Sequence, residues 1–176
     1  MHATRLRGSL FMAATLALAV PLAACNSGTE QAATGETVSN DTLASELADA
    51  DGLSTISTAM KDTGLAQVFD GSASYTLLAP TNDAFKAVAT QGLDNPENRA
   101  ILAEVLRDHV LPGAMSGEDI AKAIEAKGGP VDIKTMGGTT VTFSKEGDAL
   151  MVKTADGASA RVTGKEVLAA NGTALP

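Results

Sequence analysis

The sequence predicts an α+β domain in which helices of the first half pack on an antiparallel sheet formed by the second half. Three observations support this fold class. Up to Lys127, apolar residues recur at the spacing of helices with one buried face. From Val131 onward, apolar and polar residues alternate, which is typical of strands with one buried face. In the first half, the segment YTLLAPTNDAF at residues 75–85 predicts a strand, a turn and a helix start in immediate succession.

The first residues predict a targeting segment that the mature protein lacks. Two arginines precede an apolar stretch at residues 10–20, which is shorter than the roughly 20 residues that a membrane span needs. Leu22–Cys25, the sequence LAAC, has the form of a bacterial lipobox, which predicts a signal peptide at residues 1–24 and a lipid on Cys25. The alternative is an ordinary signal peptide with a chance cysteine near its cleavage site. Cys25 is the only cysteine, so no intramolecular disulfide can form.

Composition predicts a tether at residues 25–40, because this segment is rich in Ser, Thr, Gly, Glu and Ala and poor in bulky apolar residues. Residues 41–176 then form a single domain, long enough for a core of its own. The chain has 13 basic and 21 acidic residues, and loss of Arg5 and Arg7 leaves 11 basic residues and a formal charge of −10. The phosphate backbone of nucleic acid repels such a chain, so nucleic-acid binding is disfavoured. We expect the lipid on Cys25, and not electrostatic attraction, to hold the protein to a membrane.

Helical spacing accounts for most apolar residues in the first half of the domain. Leu43 and Leu47 predict a first helix, and a second is predicted between Asp51, a candidate N-cap, and Gly64. A helix start at residues 95–97 and a capping box at residues 116–119 predict two more. The buried stripe of the helix after residue 97 is predicted to consist of Ile101, Leu102, Val105 and Leu106.

The alternating segments predict a meander of four antiparallel strands. Glycine-containing turns separate them at residues 137–138, 146–148 and 156–157. Charged and hydroxyl residues occupy the alternate positions, so we expect one face of this sheet to contact water. The inward residues are predicted to be Val131, Ile133, Val141, Phe143, Leu150, Val152, Ala160 and Val162.

The segment at residues 75–85 combines a strand pattern with a capped helix start. Residues 75–78 favour a strand, and Pro80 ends it because proline has no backbone donor. Thr81, Asn82 and Asp83 offer side-chain oxygens to the unpaired N–H groups in the first turn of the helix that follows. These polar residues are therefore the first candidates for a functional loop.

This segment resembles the first signature motif of the fasciclin-like domain family, in which a strand is followed by Ala-Pro-Thr-Asn, an acidic residue, Ala and Phe. His109–Gly113 resembles the central histidine motif of that family, and Ala170–Gly172 resembles the start of its second signature. The matches occur in the family order and cover residues 41–172. The resemblance implies a wedge-shaped antiparallel β-sandwich or barrel-like sheet with a helical layer on one side.

The resemblance also implies which residues form the site. It implies that His109 hydrogen-bonds back to the first signature loop, at Thr81, and that Asp83 neutralises a helix N-terminus. His109 is the only histidine of the mature chain, which excludes a multi-histidine metal site, and Asp108 would point away from it on an extended backbone. We therefore expect no catalytic residue, no metal and no cofactor. The candidate residues for structural or binding roles are Thr81, Asn82, Asp83, His109, Asn171 and Gly172.

Two departures from the family pattern carry expectations. The family commonly has Tyr where this chain has Asp108, so we do not expect receptor binding through that aromatic surface. After Gly172 the family continues with a strand of the form apolar-His-apolar-Ile-Asp, whereas only residues 173–176 follow here. We expect the last strand to be missing, with an unpaired edge and exposed apolar surface beside residues 76–78. An incomplete sequence, or a strand supplied by a partner, would account for its absence.

The lipobox, the tether and the single fasciclin-like domain predict a lipid-anchored protein of the bacterial cell envelope, exposed to the periplasm or the cell exterior. We expect it to act as an adhesion or binding module for an extracellular protein or polysaccharide. An alternative is a carrier for a small apolar ligand, held in a gap between the sheet and the helices. An enzyme is a third alternative, although the sequence has no recognisable set of nucleophile, base and acid.

Overall fold

The computed structural model describes residues 38–89, 92 and 95–176. The predicted signal peptide, Cys25 and most of the predicted tether lie outside the described residues. None of the helices in the described ranges is long and apolar enough to cross a membrane.

Five α-helices and two 3-10 helices form in the described segments. The capping box before the fifth α-helix is confirmed, because Ser116 Oγ accepts from the N–H of Asp119 and Asp119 Oδ2 accepts from the N–H of Ser116. Ile101 was predicted to be buried but is 54% exposed, because its helix turns Leu102 and Leu106 toward the core. The α-helices are α1 (Leu43–Asp49), α2 (Ser54–Asp62), α3 (Asn82–Ala89), α4 (Arg99–Arg107) and α5 (Gly117–Lys127), with 3-10 helices at Leu65–Asp70 and Pro96–Asn98.

Eight strands among the described residues form two separate sheets that do not close into a barrel. They are β1 (Tyr75–Leu78), β2 (Val110–Pro112), β3 (Val131–Lys134), β4 (Thr140–Glu146), β5 (Ala149–Thr154), β6 (Ser159–Arg161), β7 (Val167–Ala169) and β8 (Gly172–Leu175). The first sheet has the order β2-β1-β8-β7, and the second has the order β3-β4-β5-β6. Only the β1–β8 pair is parallel among the strand pairs of these two sheets.

The second sheet is the predicted meander. Val141 and Phe143 of β4 are buried, and the alternate residue Lys153 of β5 is exposed, so one face contacts water as expected. Ala160 lies opposite Val152 and therefore faces inward, as predicted, yet it remains exposed. The inner face of this sheet is thus covered near β4 and open near β6.

The first sheet is a middle layer that is buried on both faces. Leu77 and Ala174 pack with the helices that precede α5, whereas Leu111 and Leu175 pack with α5 and the second sheet. Neighbouring residues of these strands therefore serve two different cores. Strands that are buried on both faces show no alternation of apolar and polar residues, and so periodicity did not reveal β2, β7 and β8.

The prediction that β1 has an unpaired edge is wrong. Residues 172–175 form β8, which pairs with β1 on one side and with β7 on the other. Every residue of β8 is buried, and β1 lies between β2 and β8. The four residues of β8 are enough because β1 also has only four residues, which pair with β8 along their whole length.

The amide groups of β8 are expected to exchange with deuterium much more slowly than those of β6. The reason is that β8 is buried between two strands, whereas β6 is an exposed edge strand. Hydrogen–deuterium exchange with peptide mass spectrometry compares residues 172–175 and 159–161 in one sample. Equal exchange rates in the two strands would contradict the central position of β8.

Candidate functional site

Thr81 caps the helix that follows it. The N–H of Ala84 donates to Thr81 Oγ1 at 3.3 Å, and the N–H of Phe85 donates to the Thr81 carbonyl at 2.9 Å. The side-chain bond satisfies one of the N–H groups that the first turn of α3 leaves without a helical partner. This geometry places Phe85 in the core that the helices share, where it is buried.

Asn82 caps a different helix from the one that it begins. Its Oδ1 accepts from the N–H of Thr55 at 2.9 Å, and its Nδ2 donates to Ser54 Oγ at 3.1 Å, both in the first turn of α2. The prediction that Asp51 caps α2 is wrong. Leu53 occupies the N-cap position and makes no side-chain cap, and Asn82 supplies one from a distant part of the chain.

Asp83 is a surface residue. Its side chain is 88% exposed and pairs with Lys86, whose Nζ lies 2.7 Å from Asp83 Oδ1. The hydrogen bond from Lys86, together with the charge of Lys86, lowers the pKa of Asp83. The carboxylate therefore remains ionised in the first turn of α3, where a negative charge opposes the positive end of the helix dipole.

The ring of His109 bonds to the preceding helix, α4, rather than to the first signature loop. Its Nδ1 lies 2.8 Å from the carbonyl oxygen of Val105, and because a carbonyl only accepts, Nδ1 is the donor. The expected side-chain bond to Thr81 does not form between these two described residues. The main chain joins the two motifs instead, since the N–H of Leu78 donates to the His109 carbonyl at 2.8 Å.

Asp108 positions the turn between β3 and β4. Its Oδ1 accepts from the hydroxyls of Thr139 at 2.9 Å and Thr135 at 3.2 Å. Gly137, in the same turn, lies so close that a Cβ at this position would overlap the Asp108 carboxylate. Asp108 therefore does not orient His109, as the acid of a catalytic pair would.

Asn171 joins three segments through one side chain. Its Nδ2 donates to the carbonyls of Phe69 at 2.6 Å and Gly71 at 2.8 Å, and its Oδ1 accepts from the N–H of Leu43, the first residue of α1, at 2.8 Å. Asn171 is 9% exposed, so water is largely excluded from these polar groups. Its carbonyl accepts from the N–H of Tyr75 at 3.2 Å, beside the first residue pair of β1 and β8.

Gly172 is required by the space around it. A Cβ on this residue would lie 2.6 Å from the carbonyl oxygen of Tyr75 and 2.9 Å from Leu43 Cδ2. Close packing leaves no room to absorb such contacts, so any side chain would push β8 away from β1. The Asn-Gly pair of the second signature thus combines a hydrogen-bonding residue with one that allows close approach.

An open cleft of about 790 Å³ lies between the second sheet, the helices α3 and α4, and the ends of β1 and β8. Two of the predicted site residues, Thr81 and His109, line it, whereas Asn171 and Gly172 do not. Its apolar lining includes Leu78, Val105, Val141, Val152, Ala160 and Leu175. The first signature and the histidine motif therefore meet at this cleft, and the second signature lies elsewhere.

The described residues offer no metal-binding group. No cluster of His, Cys, Asp and Glu side chains in this part of the chain is arranged to hold an ion. In the same residues, every buried side-chain nitrogen and oxygen has a hydrogen-bond partner. No orphaned polar atom therefore marks the place of a bound metal or cofactor.

Known proteins share both the sequence pattern and the fold. The sequence profile of the Fasciclin domain matches residues 51–175, a range that contains all three motifs. The chain belongs to the fasciclin domain family. Domains of this family generally serve in cell adhesion or binding, and they are typically not enzymes.

Two relatives and one solved structure illustrate the match. Transforming growth factor-beta-induced protein ig-h3 of Sus scrofa is 31% identical over 126 residues, which cover 69% of this chain and 16% of that protein. Protein sll1483 of Synechocystis sp. (strain ATCC 27184 / PCC 6803 / Kazusa) is 29% identical over 112 residues, covering 62% of this chain and 58% of that protein. The solved structure is a FAS1 domain pair from the insect cell adhesion molecule fasciclin I. The match covers 70% of this chain and 43% of the chain of that structure, with a TM-score of 0.55 and 18% sequence identity. The predicted family and fold class are thereby confirmed.

The sequence patterns did not reveal three long-range hydrogen bonds, which are made by two side chains. Thr76 is fully buried, and its Oγ1 donates to the Gly113 carbonyl at 2.7 Å and accepts from the N–H of Met115 at 2.8 Å. Glu166 Oε1 accepts from the N–H of Gly117 at 3.0 Å, at the start of α5. The partners lie 37 to 49 residues apart, so no local pattern marks them.

Substitution Asn171→Ala is expected to lower the free energy of unfolding by roughly 3 kcal/mol, because it leaves one buried N–H and two carbonyls without their partner. Urea unfolding followed by circular dichroism measures the change. The matched control is Asn40→Ala at an exposed position, where we expect a change of less than about 0.5 kcal/mol. The same midpoint for both variants would show that the bonds of Asn171 do not stabilise the fold.

Proposed function

We propose that this chain is a lipid-anchored, extracytoplasmic fasciclin-domain protein that acts as an adhesion or binding module of the bacterial cell surface. The observation that carries the proposal is the family match over residues 51–175, which follows a lipobox and a polar tether in the same chain. The structural match to a cell adhesion molecule supports the same class of function. An extracellular protein or a polysaccharide is the proposed partner.

The arrangement around His109 favours binding over catalysis. Nδ1 of His109 bonds to Val105, and the carboxylate of Asp108 bonds to two threonine hydroxyls of a turn. A histidine that acts as a general base needs an acid to orient it and a nucleophile within hydrogen-bond reach. Neither contact is present at His109 among the described residues.

The signature side chains leave the binding surface to other residues. Thr81 and Asn82 cap helices, and Asn171 bonds to three main-chain groups. A large partner therefore has to contact other exposed residues. The outer face of the second sheet is one such exposed surface. It presents exposed polar residues of both charges, including Asp132 and Lys153, which suit a hydrated protein or polysaccharide contact.

Lipid anchoring is tested by Cys25→Ser in cells that produce the full chain. The unchanged protein is expected in the membrane fraction, with a mass above that of its polypeptide by the mass of the attached acyl chains. Cys25→Ser is expected to lack that added mass, because the thiol that carries the lipid is gone. Ser27→Ala serves as the control and should behave as the unchanged protein. Acylated Cys25→Ser protein, or unchanged protein without added mass, would contradict the anchor.

Binding is tested with the full chain displayed on phosphatidylcholine vesicles. These vesicles are expected to bind isolated cell envelopes and purified envelope polysaccharide more strongly than vesicles that display an unrelated lipoprotein of similar negative charge. The control removes effects of charge and of the membrane, since both vesicle types share them. Sedimentation of fluorescent vesicles with the envelopes measures the difference. Equal sedimentation of both vesicle types would contradict a binding role at the surface.

A further inference from the structure

The cleft beside His109 has the size of a small-molecule site. Its volume of about 790 Å³ falls within the range of roughly 300–1,000 Å³ that such sites occupy. One wall is β6, all of whose residues are exposed, so a molecule can reach the cleft from solvent.

Strand register determines which side chains of the second sheet face the cleft. Ala160 pairs with Val152, and Val152 pairs with Phe143, so these three residues share the inner face. Phe143 is fully buried in the core with α5, whereas Ala160 is exposed. The apolar inner face therefore continues past the edge of the core and into the cleft.

The opposite wall is also apolar. Val105 of α4 and Leu78 and Leu175, at the ends of β1 and β8, line the cleft across from the second sheet. An apolar surface that is concave and open to water is typical of a ligand site, because an apolar ligand that covers it removes both surfaces from water. Two such walls favour an elongated hydrocarbon body.

The charges at the cleft disfavour an anion. Asp108 and Asp156 line it, and the hydrogen bond from Thr154, followed by that from the main chain of Ala158, lowers the pKa of Asp156. The whole chain carries a formal charge of −8, which adds to the repulsion. Arg161 also lines the cleft, but it pairs with Met151 and thus belongs to the outer face of the sheet.

A cation would gain little at the same place. The carboxylates of Asp108 and Asp156 already accept hydrogen bonds from threonine hydroxyls, and Asp156 is exposed to water. Ion pairs at exposed carboxylates contribute only about 0–1 kcal/mol. The charges of the cleft therefore suit a molecule without net charge.

His109 adds a hydrogen-bonding group to this apolar lining. When the ring is neutral and Nδ1 donates to Val105, Nε2 is the ring atom that can accept a hydrogen bond. The side-chain contact seen at His109 uses Nδ1, and His109 lines the cleft. A hydroxyl group is the complementary donor.

We propose that the cleft between β6, α4 and the ends of β1 and β8 binds an uncharged, elongated hydrocarbon molecule that carries a hydroxyl group. This site is separate from the surface-binding role proposed above, and either can fail without the other. The ligand class is that of a neutral lipid alcohol.

Photolabelling of the full chain in phosphatidylcholine vesicles tests the site. The probe is a long-chain primary alcohol with a diazirine at its methyl end, and the carboxylic acid and the amine of the same chain length are compared with it. We expect the alcohol to label peptides that contain Leu78, Val141, Val152 or Ala160 at least about fivefold more than the acid does, because the acidic cleft repels a carboxylate. Peptide mass spectrometry locates the label.

Two substitutions on opposite walls fill the cleft. Ala160→Trp and Ala84→Trp each place a large ring at an exposed position that lines it, so we expect the fold to be kept and the labelling to fall severalfold. The matched control is Ser144→Trp, on the outer face of β4 in the same sheet, which should leave labelling unchanged. Circular dichroism confirms that all three variants are folded.

Several results would overturn the proposal. Labelling no higher than that of the vesicle background, or labelling insensitive to both cleft-filling variants, would remove the site. Equal or stronger labelling by the acid, or labelling by the amine more than about fivefold above that by the alcohol, would overturn the uncharged ligand class. A cross-linked dimer of the chain that is lost in Ala160→Trp would assign the cleft to a second copy instead.

Discussion

The side chain of Asn171 bonds to the first N–H of α1 and to two carbonyls at the end of the first 3-10 helix, while its own carbonyl meets the first residue of β1. Gly172 follows, and the space beside Tyr75 admits no side chain there. Because Asn171 is only 9% exposed, these polar groups depend on its bonds rather than on water. The helical layer and the central sheet therefore depend on the same two residues.

The first signature uses the same physics at a second junction. Thr81 satisfies an N–H of its own helix, and Asn82 satisfies an N–H of α2. A side chain whose polar atoms are committed to helix caps has little left to offer a ligand. The groups that remain accessible to a partner or a ligand are the polar residues on the outer face of the second sheet and the apolar residues of the cleft.

Patterns of neighbouring residues in the sequence predicted the helices and strands that have one face in water and one face in the core. The four strands of the meander alternate, and the capping box of Ser116 and Asp119 joins residues one helical turn apart. In the middle layer, β2, β7 and β8 escaped prediction because both faces of this sheet are buried, and Gly172–Leu175 is only four residues long. The family resemblance placed the motifs correctly, but the expectation drawn from it, that the last strand is missing and β1 has an unpaired edge, was wrong.

The sequence by itself determined the family, the fold class, the helix and strand periods and the identity of the motif residues, because these depend on neighbours within a few positions. Tertiary structure alone decided that Asn82 caps α2, that His109 turns to Val105 and that β8 pairs with β1. It also decided that the inner face of the second sheet stays uncovered at Ala160. The Asn82 cap and the β1–β8 pair join residues far apart in the chain, and only the closed fold brings those residues within hydrogen-bond distance.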